Sequence, residues 1–261
     1  MEALDFGSLA GWFNKLLAVT PRALVATLLI PVFAPKVVPA TVRTGVALAI
    51  ASVAILGAGE VEPFREIGGA LLAFLILKEC AIGLMIGLSF GMVFWAARSI
   101  GELIDYQIAL TFSQTADPVN GQQVSVTASL MEKLLLTYLV ASGGLLLFAD
   151  TLLLSYQLWP IGEFVPDLLS RATPLLVLET ARLLSLALLL AGPVMLAAFM
   201  IDVGFGILGR AAPQLNLLAL TLPIKMPVAL FILILALPFL LSNLFDAYTT
   251  VARALRAVMG G

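Results

Sequence analysis

The chain has no histidine and a single cysteine among its 261 residues, and only 11% of them carry charge. Without histidine there is no Ser-His hydrolytic pair, no imidazole metal site and no histidine proton relay. One thiol, Cys80, lies inside an apolar run and allows neither an intrachain disulfide nor a thiolate metal cluster. It reads as a small packed side chain. Neither a GxxxxGK[ST] loop nor a GxGxxG turn after a strand occurs, so nucleotide binding has no support. The carboxylates are scattered singly and form no pair suited to acid–base work. No enzymatic activity, cofactor or metal is therefore expected. Basic and acidic residues nearly balance, 14 Lys+Arg against 16 Asp+Glu, which favours neither a nucleic-acid partner nor a polybasic lipid anchor. The opening Met1-Glu2-Ala3-Leu4-Asp5-Phe6 is acidic, and no small-residue cleavage site follows a short apolar core. Residues 1–30 are expected to stay on the mature protein.

What fills the sequence is apolar: 61% of the residues, against roughly 45–50% in soluble domains. The composition is that of an integral membrane protein, and no polar linker divides it, so one domain over 1–261 is expected. A helix needs about 20 apolar residues to cross the hydrocarbon core. Six segments qualify or nearly so: Leu16–Phe33, Thr44–Gly59, Ile67–Ala97, Leu134–Leu154, Leu183–Ile201 and Leu217–Leu241. The fold class predicted is all-α, with helices in contact with lipid, one another or partners. Several segments are short, proline-broken or charged, and charges facing lipid cost ~2.5–3.5 kcal/mol or more. These faces should meet protein or water. Lys and Arg divide almost evenly between the two sides of a six-span arrangement, so orientation stays open.

Four features stand out. Gly83, Gly87 and Gly91 recur every four residues, a stripe that lets another helix backbone approach closely. Gly204, Gly206 and Gly209, followed by Pro213, would permit a sharp bend after the fifth segment. Arg22, Lys78, Glu79, Asp202 and Lys225 sit within or beside apolar runs and need partners. Those are either intrachain, with Glu79, Asp150 or Asp202 as candidates, or a neighbouring subunit or a hydrated pore. Lys78 and Glu79 are adjacent, and adjacent helix positions diverge by ~100°, which disfavours a mutual salt bridge. Finally, Arg98, Glu102 and Asp105 at helical spacing extend the third helix amphipathically before the pattern breaks. Thr111-Phe112-Ser113-Gln114-Thr115-Ala116-Asp117-Pro118-Val119-Asn120-Gly121-Gln122-Gln123 carries one charge and two turn-forming pairs. It is either an ordinary loop or a segment able to occupy and leave an aqueous channel.

Arg210-Ala211-Ala212-Pro213-Gln214-Leu215-Asn216, followed by Leu222-Pro223-Ile224-Lys225, resembles the T subunit of the type III secretion export apparatus, which is homologous to flagellar biosynthetic protein R. Thr20-Pro21-Arg22, Pro35 to Pro39 with Arg43, Gly87 to Gly91, Gly101-Glu102, Asp105, Gln107, Asp117-Pro118 and Gly192-Pro193 to Asp202 agree in the same order. The resemblance implies one copy of this chain in a hetero-oligomeric gate with two smaller subunits, usually in five and four copies. It further implies contact with the export switch protein and the export-gate ring, unfolded secreted proteins as cargo, and a multi-pass place in the bacterial inner membrane. Tilted, partly raised helical hairpins and a pore-plugging loop at the position of Thr111 to Gln123 belong to the same expectation. The Gln- and Ser-rich stretch from Gln114 leans toward injectisome rather than flagellar members.

The expected function is thus that of a wall and plug subunit of a protein-export gate, with Arg210, Pro213, Gln214, Asn216 and Lys225 at subunit contacts. The rival is a secondary transporter using Lys78, Glu79, Asp202 and Lys225 as a midplane site on interrupted helices. No internal repeat between the halves supports it.

Overall fold

The computed structural model describes residues 6–35, 38–57, 69–108, 125–161, 168–211 and 217–260. Seven helices and one short 3-10 turn account for nearly all of them: α1 (Phe6–Leu28), the turn Pro31–Phe33, α2 (Ala40–Gly57), α3 (Gly69–Ile108), α4 (Val126–Ala141), α5 (Gly144–Leu158), α6 (Leu168–Ala211) and α7 (Leu217–Gly260). No strand occurs among the described residues. Within lipid the backbone amides must be satisfied inside the protein, and apolar runs of about 20 residues do so as helices.

Among the described residues three helices are long and apolar enough to cross a membrane, α3, α6 and α7, and a fourth span arises if α4 and α5 are counted as one. Six spans were expected. The second segment forms only a shorter apolar helix, and the fourth is divided in the middle. At the division Gly143 adopts φ +78, a left-handed conformation that costs other residues about 1–2 kcal/mol, and α4 and α5 meet there at 73°.

Two expected interruptions are absent. α6 continues as helix through Gly204, Gly206 and Gly209 to Ala211, so the glycines do not bend the chain sharply. A glycine only permits a bend; with helical φ and ψ it simply extends the helix. α7 likewise runs through Pro223, Pro227 and Pro238; a proline removes one amide donor, and neighbouring structure in a membrane protein tolerates that loss. At 1.5 Å per residue α3, α6 and α7 are each about 60–66 Å long, roughly twice the hydrocarbon thickness.

The residues group into two compact units. The first comprises 1–92, 143–179 and 248–261, the second 93–142 and 180–247. In the first, Phe90 of α3 packs edge-on against Phe148 of α5, with ring centroids 5.4 Å apart, and against Tyr248 of α7 at 4.8 Å. The Tyr248 hydroxyl donates to the Gly144 carbonyl at 3.2 Å, so this apolar contact also occupies a backbone acceptor at the start of α5. In the second unit, Tyr138 of α4 meets Phe245 of α7 edge-on at 5.8 Å.

Candidate functional site

In the first unit the glycine stripe decides how closely α1 and α3 approach. A Cβ on Gly83 would run into the backbone of Arg22, and one on Gly87 would lie 2.9 Å from the Ala26 carbonyl oxygen and from a Leu29 methyl. Gly83 faces Arg22 and Gly87 faces Ala26, so the two helices run parallel here with little between their backbones. Gly91, one turn further, is buried.

That approach places Arg22 beside Glu79. The guanidinium is fully buried, and its Nε and Nη2 donate to the two Glu79 oxygens at 2.6 and 3.0 Å. Nη1 donates to the Ser155 carbonyl at 2.7 Å and the Ser155 hydroxyl at 3.1 Å, while Nη2 also reaches the Trp159 carbonyl at 3.0 Å. These bonds match the donor capacity of an arginine. The group also stacks over the Tyr156 ring, 4.2 Å from its centroid, and Tyr156 donates its hydroxyl proton to the Val19 carbonyl at 2.9 Å. Lys78 donates to the carbonyls of Pro160 and Ile161 at 3.3 and 2.9 Å. Its ammonium also lies 3.2 Å from Glu79 Oε1. This corrects the expectation for the adjacent pair: the Cβ directions diverge, but two long side chains converge on the end of α5. Carbonyls left unpaired at a helix C-terminus attract cations, and here an arginine and a lysine supply them.

The second unit holds a separate set. Lys225 on α7 donates to both Asp202 oxygens on α6, at 2.8 and 2.7 Å. Gln107 near the end of α3 donates to Asp202 at 3.5 Å. Lys225 is buried, whereas the Asp202 side chain is 38% exposed. Lys225 thus has Asp202, one of the intrachain candidates, as a partner. Arg210 is exposed at the end of α6. Asp150, a candidate partner for Arg22, instead binds Arg256 at 2.7 Å. Of the four charges grouped in the transporter alternative, Lys78 and Glu79 pair in the first unit and Asp202 and Lys225 pair in the second.

Thr111, Phe112, Ser113, Gln114, Asp117, Pro118, Asn120 and Gln122 lie outside the described residues, as do Pro213, Gln214 and Asn216. Reading the sequence missed Ser155, Tyr156 and Trp159, whose place in the Arg22 cluster depends on the turn that ends α5. It also missed Ser125 and Thr127 as partners of Asp105. A serine directly before the apolar run that begins at Val126 is a helix N-cap signal that could have found the first of them.

Among the described residues no group of His, Cys, Asp and Glu could hold a metal. Each buried side-chain nitrogen and oxygen among them has a hydrogen-bond partner. The arrangement is that of an all-helical membrane protein whose helices are fastened to each other at a few hydrogen-bonded polar points. The sequence profile of bacterial export proteins, family 1, matches residues 13–251, and the chain belongs to that family, which holds the T subunits of type III export apparatus and their flagellar R counterparts. The chain is similar to Yop proteins translocation protein T of Yersinia pestis, 28% identical over 215 residues that make up 82% of each chain. It is similar to surface presentation of antigens protein SpaR of Salmonella typhimurium, 34% identical over 177 residues, 67% of this chain and 64% of that protein. It is also similar to flagellar biosynthetic protein FliR of Bacillus subtilis, 27% identical over 259 residues, 97% of this chain and 98% of that one. The family is one of structural components of an export apparatus.

Proposed function

We propose that this chain is a non-enzymatic subunit of a type III protein-export gate, forming part of the wall and part of the plug of the channel that passes unfolded proteins across the bacterial inner membrane. The match over residues 13–251 to an export family carries the reading. The shape of the helices supports it. α6 and α7 leave large apolar side chains uncovered, among them Leu189, Leu196 and Phe199, and Phe231, Ile234 and Phe239. Faces this apolar need lipid or protein against them. Helices about twice as long as the hydrocarbon core is thick must tilt or extend beyond it, which suits a subunit packed among partners.

In this reading the chain acts as one domain, in one copy, with several copies of two smaller subunits. It also meets the export switch protein and the export-gate ring. The glycine stripe and the Arg22 cluster stiffen the wall, Arg210, Lys225 and the segment 212–216 meet neighbouring subunits, and the segment Thr111 to Gln123 closes the lumen. The system served is an injectisome.

Co-production with the other subunits, gentle extraction and native mass spectrometry test the reading. One copy in a large hetero-oligomer is expected. A monomer or homodimer under the same conditions overturns it, and substrate-dependent flux by the purified chain alone would establish a transporter instead. In the assembled gate, shortening the 111–123 segment should raise ion leakage; an unchanged leak removes the plug from the reading.

A further inference from the structure

The Asp105 carboxylate near the end of α3 is buried and accepts hydrogen bonds from donors that all lie on the far side of the segment 109–124. These are the Ser125 hydroxyl, the Thr127 hydroxyl and the Thr127 amide, the last at 3.0 Å. Ser125 is also the N-cap of α4, its Oγ accepting from the Ala128 amide at 3.0 Å. One hydroxyl thus accepts from the helix end and donates to the carboxylate. Unpaired amides and the helix dipole favour negative charge at an N-terminus, which offsets part of the cost of burying the Asp105 carboxylate.

The contact continues along both helices. A Cβ on Gly101 would collide with the backbone of Thr127 and Ala128, and Arg98 lies 3.8 Å from Glu132. Residues 98, 101 and 105 thus face 132, 128 and 125, so α3 and α4 form an antiparallel hairpin. Its polar bonds are densest at the end where the segment 109–124 leaves and returns. Ser125 already caps α4, so capping alone does not call for a buried carboxylate on another helix.

We propose that Asp105 is a positioning residue, a clasp that holds the two roots of the segment 109–124 together and so sets where that segment sits in the export channel. The second half of this statement rests on the plug reading above. With the clasp closed, the end of α3 at Ile108 and the start of α4 at Ser125 are held together; with the clasp open, the two helices separate at that end of the hairpin.

The test uses the complex co-produced with its other subunits, with Cys80→Ser as background and nitroxides on Tyr106→Cys and Val126→Cys. Both positions are exposed in this chain, 77% and 74%, and they flank the clasp. Dipolar broadening between the two labels reports the separation of the roots, and ion flux in liposomes reports the plug. Asp105→Asn and, separately, Thr127→Val are compared with the parent. Loss of a hydrogen bond to a charged group shifts the ratio of closed to open clasp by ~10-fold or more. Both variants should therefore lose broadening and leak ions at several times the parent rate, with assembly and copy number unchanged. If Asp105→Asn fails to assemble, Thr127→Val carries the test, because it removes one hydroxyl and keeps nearly the same shape. Unchanged broadening in the variants overturns the clasp. Lost broadening with an unchanged leak keeps the clasp and overturns its role in seating a plug.

Discussion

Arg22 and Glu79 face each other across the α1–α3 contact in a two-pronged bond, Nε to Oε2 at 2.6 Å and Nη2 to Oε1 at 3.0 Å, with both side chains shut off from solvent. Such a pair stabilises little relative to a well-packed apolar substitute, but removing one partner leaves a buried charge uncompensated and costs about 3–5 kcal/mol. Glu79→Ala should therefore lower the thermal midpoint of the detergent-extracted complex sharply or abolish its recovery. Arg22→Lys should be almost as harmful, since an ammonium cannot reproduce the fork to Glu79 and the bonds to Ser155 and Trp159 together. A lysine variant with parental stability would show that the guanidinium geometry is not what matters.

The glycines of α3 are not equivalent to those of α6. Gly83→Ala places a methyl group against the backbone of Arg22, whereas Gly204→Ala meets nothing within 4 Å. The first should destabilise the isolated chain by about 1–3 kcal/mol through overpacking. The second should be neutral or stabilising by up to ~1 kcal/mol, through helix propensity. Thermal unfolding of both variants in the same detergent checks the ordering.

Gly143 holds the joint between α4 and α5 at φ +78. Gly143→Ala should cost about 1–2 kcal/mol, and Gly143→Asn less, because asparagine visits the left-handed region more readily. Equal effects of the two substitutions would show that backbone conformation at the joint is not limiting. The readout is again the thermal midpoint, paired with protease sensitivity between α4 and α5.

Lys225 and Asp202 should behave as a coupled pair. Lys225→Met alone removes the ammonium from a carboxylate it approaches to 2.7 Å. Lys225→Met with Asp202→Asn removes both charges. A double-mutant cycle should return a coupling of ~0.5–3 kcal/mol, toward the lower end because Asp202 is partly exposed and screened. Complex recovery should follow the same order. A double variant no better than Lys225→Met would mean that the lysine acts on something other than Asp202.

Residue type alone made the protein all-helical and membrane-embedded. The amphipathic continuation through Arg98, Glu102 and Asp105 was legible as an extension of the third helix, and α3 reaches Ile108. The family was legible too, through the resemblance carried by Arg210 to Asn216 and Leu222 to Lys225. Span number was not. Periodicity counts apolar residues without knowing whether a break is a left-handed joint, as at Gly143, or uninterrupted helix, as at Gly204 and Pro223.

Partners of the buried charges lay further from reach. Composition required that Arg22, Lys78, Asp202 and Lys225 be paired, since an isolated charge in an apolar setting is too costly to keep. Which group answers each of them depends on contacts between residues far apart in the chain. Glu79 and Ser155 meet Arg22 only because glycines bring α3 against α1 and because α5 ends where its carbonyls face the guanidinium. Asp105 looked like one more residue of a polar helix face until α4 was seen to begin against it. The sequence by itself determined the need for pairing, the helices and the family; only the tertiary structure decided the pairs, because hydrogen bonds are fixed by angles and distances of a few ångströms that no spacing along one helix records.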